Sequence, residues 1–133
     1  MQNITNNFKE LLELAGKKKN LDKDDTWSEG AITYFKEIQN EIQESLVEYK
    51  AGKQVYLEDE LGDILWDYLN LLTNLESENK INLEKVFIRA NKKYQERISG
   101  LNYNSTWSEV KKKQKEELRI EQEALQEELT DIN

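Results

Sequence analysis

Apolar residues recur along the chain at three- and four-residue intervals, and no segment shows the two-residue alternation of a half-buried strand. The periodicity predicts an all-α fold of five helices, at about 5–15, 27–51, 57–76, 83–99 and 106–129. Proline is absent, and Gly16, Gly52 and Gly100 each stand where an apolar-periodic segment closes, a position that favours a left-handed glycine cap. The stretch KKKNLDKDD over 17–25 reads as a polar linker. Two helix starts, Thr26-Trp27-Ser28-Glu29 and Thr106-Trp107-Ser108-Glu109, match the capping box, in which hydroxyl and carboxylate each satisfy an orphan amide. The last helix has only a thin apolar stripe of Trp107, Leu118, Leu125, Leu129 and Ile132, with Lys111, Gln114 and Gln122 on the same face. It is therefore expected to pack on a partner or along the side of a bundle.

Helical geometry places the charges. Each residue advances about 100° around a helix axis. In the second helix Ala31, Tyr34, Ile38, Ile42 and Leu46 mark the apolar face, while Glu37, Glu41, Glu44 and Glu48 crowd beside one edge of it. In the third, Leu61, Ile64, Leu65, Tyr68 and Leu72 mark the face, and Glu60, Asp63 and Asp67 line one edge. Both acid stripes lie on the same hand of their apolar faces. A connection of about five residues, Gly52 to Tyr56, makes the two helices antiparallel neighbours. Same-handed flanks then meet along one edge of the hairpin. Carboxylates ~5 Å apart repel by about 3 kcal/mol at an effective dielectric of ~20. A divalent cation would offset that repulsion, and an all-oxygen set suits Mg²⁺ or Mn²⁺ better than Ca²⁺. The plainer alternative is a solvated acidic face.

The fourth helix carries the opposite sign. Beside its apolar face of Leu83, Phe87, Ala90, Tyr94 and Ile98 run Arg89, Lys93 and Arg97, with Asn91 leaning inward. These bases either form structural salt bridges with the acids or face phosphate oxygens, where the arginine fork binds in bidentate fashion.

Composition narrows the chemistry further. The chain has 133 residues, enough for one domain, and only 37% are hydrophobic against 35% charged. So lean a core is expected to be shared between subunits. A net charge of -8 argues against a nucleic-acid partner, because counterion release needs clustered Lys and Arg. The absence of Cys and His removes disulfides, thiolate sites, Ser-His triads and histidine zinc ligands. No apolar stretch approaches the ~20 residues of a membrane span, and MQNITNNFKELL lacks the features of a secretory signal, so a cytoplasmic setting is expected.

Four short blocks, in order over about 27–112, together resemble the MazG family of all-α nucleoside triphosphate pyrophosphohydrolases. The first is Glu41-Ile42-Gln43-Glu44, matching the family's Glu-x-x-Glu, and the second Glu60-Leu61-Gly62-Asp63, matching its Glu-x-x-Asp. The third, Asn91-Lys92-Lys93-Tyr94-Gln95-Glu96-Arg97, is similar to the family's phosphate-contacting segment. The fourth, Trp107-Ser108-Glu109-Val110-Lys111, is similar to its closing helix start. Position 40 is Asn, where the family often doubles the glutamate, and the segment between Trp27 and Glu41 is shorter than in better-known members. The Trp-Asp and Gln-Thr-His elements of those members are missing.

The resemblance implies cleavage of an NTP or dNTP to the monophosphate and pyrophosphate, with removal of non-standard nucleotides as one role. It implies Mg²⁺, with Mn²⁺ as substitute, held by Glu41, Glu44, Glu60 and Asp63. Glu41 is the first candidate to position or deprotonate the attacking water, and Glu37 the second. Lys93 and Arg97 would hold the triphosphate, Asn91 would orient it, and Lys111 and Trp27 would complete the substrate contacts. Trp27, Tyr34, Trp66 and Trp107 either stack on a base or pack the core. The implied assembly is a homodimer or homotetramer in which one domain, 1–133, contributes a core of about 27–112 and an extended charged helix over 106–133. The competing reading is a helical interaction module of the same fold that binds a nucleotide without turning it over.

Overall fold

The computed structural model describes residues 2–22, 28–102 and 105–132. These residues form five helices and no strand: α1 Gln2–Asp22, α2 Ala31–Ala51, α3 Gln54–Ser77, α4 Leu83–Asn102 and α5 Trp107–Ile132. The all-α expectation holds. The chain divides into two compact units, Met1–Leu83 and Glu84–Asn133. None of the helices is long and apolar enough to cross a membrane.

In the first unit α3 is the central element, packed by both α1 and α2. Tyr34 and Leu69 are 1% exposed, and Ala31, Leu71 and Leu72 are also buried. Ile38 and Leu75 pack against the cluster of Ala31, Tyr34 and Leu71. Contact on two sides explains why α3 also buries Asn70, Thr73 and Asn74. Each of them satisfies a donor by bonding back to a carbonyl one turn earlier: Asn70 Nδ2 to Trp66 O, Thr73 Oγ1 and Asn74 Nδ2 to Asn70 O. The apolar stripe that α2 and α3 present elsewhere is only half covered. Phe35, Ile38, Leu61, Ile64, Leu65 and Tyr68 line an open groove of about 590 Å³.

The reversal between α2 and α3 is as tight as glycine allows. Gly52 sits at φ 68 and ψ 27, in the left-handed region that costs an L side chain energy. Its N–H donates to Tyr49 O, and the N–H of Lys53 donates to Glu48 O, the paired bonds of a Schellman motif. Only Gly52 and Lys53 separate the two helices, which therefore run antiparallel in contact.

The other two glycine expectations fail, for different reasons. α1 does not stop at Gly16 but continues to Asp22, taking in most of the segment read as a linker. A mid-helix glycine costs only about 1 kcal/mol relative to alanine, and the following lysines are good helix formers. Gly16 also follows Ala15, which is fully buried and anchors that turn. Gly100 lies inside α4, where it marks close packing instead of an end: a Cβ there would stand 2.5 Å from Val110 Cγ2. α2 starts at Ala31, later than predicted, after Gly30 at φ 80. Around that start Glu29 N–H donates to Thr33 Oγ1 and Gly30 N–H to Ser28 Oγ. The Thr26 and Trp27 half of the first capping box lies outside the described residues. In the second box Glu109 N–H donates to Thr106 Oγ1 at 3.1 Å, as predicted.

In the second unit α5 lies along α4 and is tied to it by side chains. Arg97 Nε donates to Gln114 Oε1 at 2.9 Å, and Gln114 Nε2 donates to the Lys93 carbonyl at 2.9 Å. Arg89 forms a fork onto both oxygens of Glu121. Lys92 reaches Glu96 and Glu117. The thin apolar stripe of α5 is thus supplemented by polar links to its neighbour.

Candidate metal centre

The sequence of α2 and α3 dictates where their acids fall. Glu37, Glu41 and Glu44 step along α2 at intervals of four and three, so they stack one above another. Glu60, Asp63 and Asp67 do the same on α3. Because the turn at Gly52 is so short, the antiparallel register sets Glu44 near Glu60 and Glu37 near Asp67.

The carboxylates gather into two groups. One oxygen from each of Glu41, Glu60 and Asp63 lies within 4.8 Å of the others. One oxygen from each of Glu37, Glu41 and Asp67 does the same, so Glu41 belongs to both. Glu44, at the surface, stands beside Glu41, Glu60 and Asp63 and repels them.

Electrostatics register the crowding. Burial pushes the Glu41 carboxyl up to about 8, helped by the adjoining Glu44 and Glu60 and the charge of Asp63. Glu60 is raised by burial too, with the charges of Glu44 and Asp63 adding to it while contact with Glu41 works the other way. Asp63 is raised by burial and then by Asp59 and Glu44. Asp67 rises to about 6, through burial and the charges of Glu37 and Asp63. Burial and mutual repulsion thus raise Glu41, Glu60, Asp63 and Asp67 together.

The donor set fits a hard divalent cation. Glu41 Oε2 and Glu60 Oε2 are buried with no hydrogen-bond partner, leaving lone pairs that protein donors do not use. Ion pairs among the described residues join Arg89 to Glu121, Lys92 to Glu96 and Glu117, and Arg119 to Glu116 and Glu123. None involves the clustered acids of α2 and α3. Only oxygen is on offer, which suits Mg²⁺ or Mn²⁺.

The candidate substrate residues belong to the second unit. Arg97 is 7% exposed, with its guanidinium 5.3 Å from the Tyr94 ring centroid and 5.2 Å from that of Trp107. Lys93 is half-buried, its Nζ 5.8 Å from the Tyr94 centroid. Asn91 is exposed and accepts a bond from Gln95 Nε2, and Lys111 is exposed. Tyr34 is a core residue of the first unit, and Trp66 is half-buried. Trp27 lies outside the described residues. Sequence reasoning placed Asp67 on the acid edge yet gave it no role in the site. Its i+4 spacing from Asp63 was the available signal, and its burial is what makes it a member.

The fold and site define an all-α chain whose adjacent antiparallel helices gather carboxylates that could hold a metal ion. Comparison with known families agrees. The description of the MazG nucleotide pyrophosphohydrolase domain matches residues 29–100, more than half of the chain. The chain belongs to the MazG family. No curated protein and no solved structure matches it at a significant level.

Proposed function

We propose that the protein is a Mg²⁺-dependent nucleotide pyrophosphohydrolase that converts an NTP or dNTP to the monophosphate and pyrophosphate. The observation that carries this reading is the convergence of Glu41, Glu60 and Asp63, with Glu41 Oε2 and Glu60 Oε2 orphaned and no basic partner among the described residues. Glu41, Glu44, Glu60 and Asp63 would hold Mg²⁺, for which Mn²⁺ could substitute. The bound ion supplies positive charge against phosphate oxygens as negative charge shifts toward the leaving group.

The chain's own groups account for the remaining tasks. Glu41 is the first candidate to orient a water or take its proton, through an oxygen not engaged by the ion, and Glu37 is the second. Arg97 spends Nε on Gln114, which fixes the guanidinium plane and leaves its outer nitrogens to grip phosphate. Lys93 adds a point charge, Asn91 orients the substrate, and Lys111 and Trp27 complete the contacts. A second copy would cover the apolar groove along α2 and α3, giving a homodimer or a homotetramer built from dimers. A cytoplasmic setting, rich in nucleotides and Mg²⁺, suits such an enzyme.

Incubation with each common ribo- and deoxynucleoside triphosphate and MgCl₂, with products resolved by anion-exchange chromatography, tests the reading. The expected result is equimolar monophosphate and pyrophosphate from at least one nucleotide, abolished by EDTA and restored by Mg²⁺ or Mn²⁺. Release of orthophosphate and a diphosphate, or calorimetric nucleotide binding with no turnover, would contradict it.

A further inference from the structure

Asp67 is the acid that the four-carboxylate reading leaves without a task. It sits one turn beyond Asp63 on α3 and is only 8% exposed, yet its Oδ2 is buried with no hydrogen-bond partner. A buried carboxylate left unpaired costs several kcal/mol, so its retention calls for a ligand of opposite charge. The neighbouring polar groups of α3 direct donors to the helix backbone: Asn70 to Trp66 O, and Thr73 and Asn74 to Asn70 O. From α2, Glu37 and Glu41 each bring one oxygen to within 4.8 Å of an Asp67 oxygen and of each other. No base enters. Three acids, one of them with an unsatisfied buried oxygen, repeat one turn along α3 the arrangement formed by Glu41, Glu60 and Asp63.

We propose that Glu37, Glu41 and Asp67 form a second, inner position for a hard divalent cation, which shares the Glu41 carboxylate with the outer one. A carboxylate with two oxygens can serve both positions at once, in which case Glu41 would position the water through the ions it holds and would not itself take the proton. Glu37 on α2 and Asp67 on α3 lie outside both acid pairs that mark the outer position. The inner position rests on the reading of the outer site, because Glu41 is common to both, but it is decided by residues that the outer site does not use.

Mn²⁺ binding followed by electron paramagnetic resonance tests it without substrate. The wild type should bind two Mn²⁺ per chain, and at saturation the six-line signal should broaden through coupling of the pair. Asp67→Asn should lose one equivalent and the broadening while keeping the other. Glu37→Gln, a change at a half-exposed position, should do the same and guards against a folding defect in the first variant. One uncoupled Mn²⁺ in the wild type, retained by both variants, would overturn the inner position and leave the proposed function standing. Two coupled ions retained by both variants would overturn the assignment to Glu37 and Asp67. No bound Mn²⁺ in the wild type would overturn both readings together.

Discussion

Glu60→Gln and Asp63→Asn should each lower kcat/KM by more than ~100-fold, the loss seen when only an outer-shell partner of a metal ligand is removed. Both changes preserve shape and remove one negative charge. Neither residue takes part in any ion pair among the described residues, so no opposite charge is orphaned. The fold should survive, and the metal-free melting temperature should match or exceed that of the wild type, because a raised carboxyl pKa reports a charge the fold resists. Circular dichroism and thermal melts check the second half, and turnover at saturating Mg²⁺ checks the first. A variant that loses activity because it unfolds would assign these acids to structural pairing instead.

The second large effect is on stability. Glu41 is raised from 4.5 to about 8 in the fold, so between those values the folded chain binds more protons than the unfolded chain. Stability contributed by that proton is present below the lower value and is lost as pH rises through the upper one. Metal-free protein should therefore melt at progressively lower temperature from about pH 5 to pH 8, and Glu41→Gln should flatten that slope. Comparison with the variant matters, because Asp67, raised to about 6, and Glu60 and Asp63, also raised, add to the same slope, whereas the lowered Glu96, Glu116 and Glu121 act only at more acid pH. Mg²⁺ should reverse the trend: at a hundred times its Kd it adds about 2.7 kcal/mol to the folded state, and more at pH 8, where fewer protons compete. A wild-type slope that Glu41→Gln leaves unchanged would remove the crowded carboxylates from the account.

Much of the candidate site could be read before any coordinates, and the reason is geometric. Spacings of three and four residues fix which acids share a helix edge, and a glycine-capped turn fixes that two such edges face each other. Gly52 does what its position predicts because its left-handed cap is a local requirement, and local requirements are visible in sequence. Gly16 and Gly100 misled because a glycine can equally mark a tolerated helix interior or a close approach. The deciding partners, the buried Ala15 anchor and Val110, are matters of tertiary packing. Asp67 was legible as an edge residue and illegible as a buried one, since burial depends on what packs around α3 and periodicity reports only its face. The bases of α4 show the same limit. Their stripe was plain, but Arg89 finds Glu121 and Arg97 finds Gln114, partners 32 and 17 residues away that no spacing rule selects.

Anomalous diffraction from crystals grown with MnCl₂ would test the central claim most directly. The account predicts a strong peak at coordination distance, ~2.0–2.2 Å, from oxygens of Glu41, Glu60 and Asp63, with Glu44 beside it. A map with no peak there at saturating Mn²⁺, and those carboxylates turned apart to solvent, would contradict it.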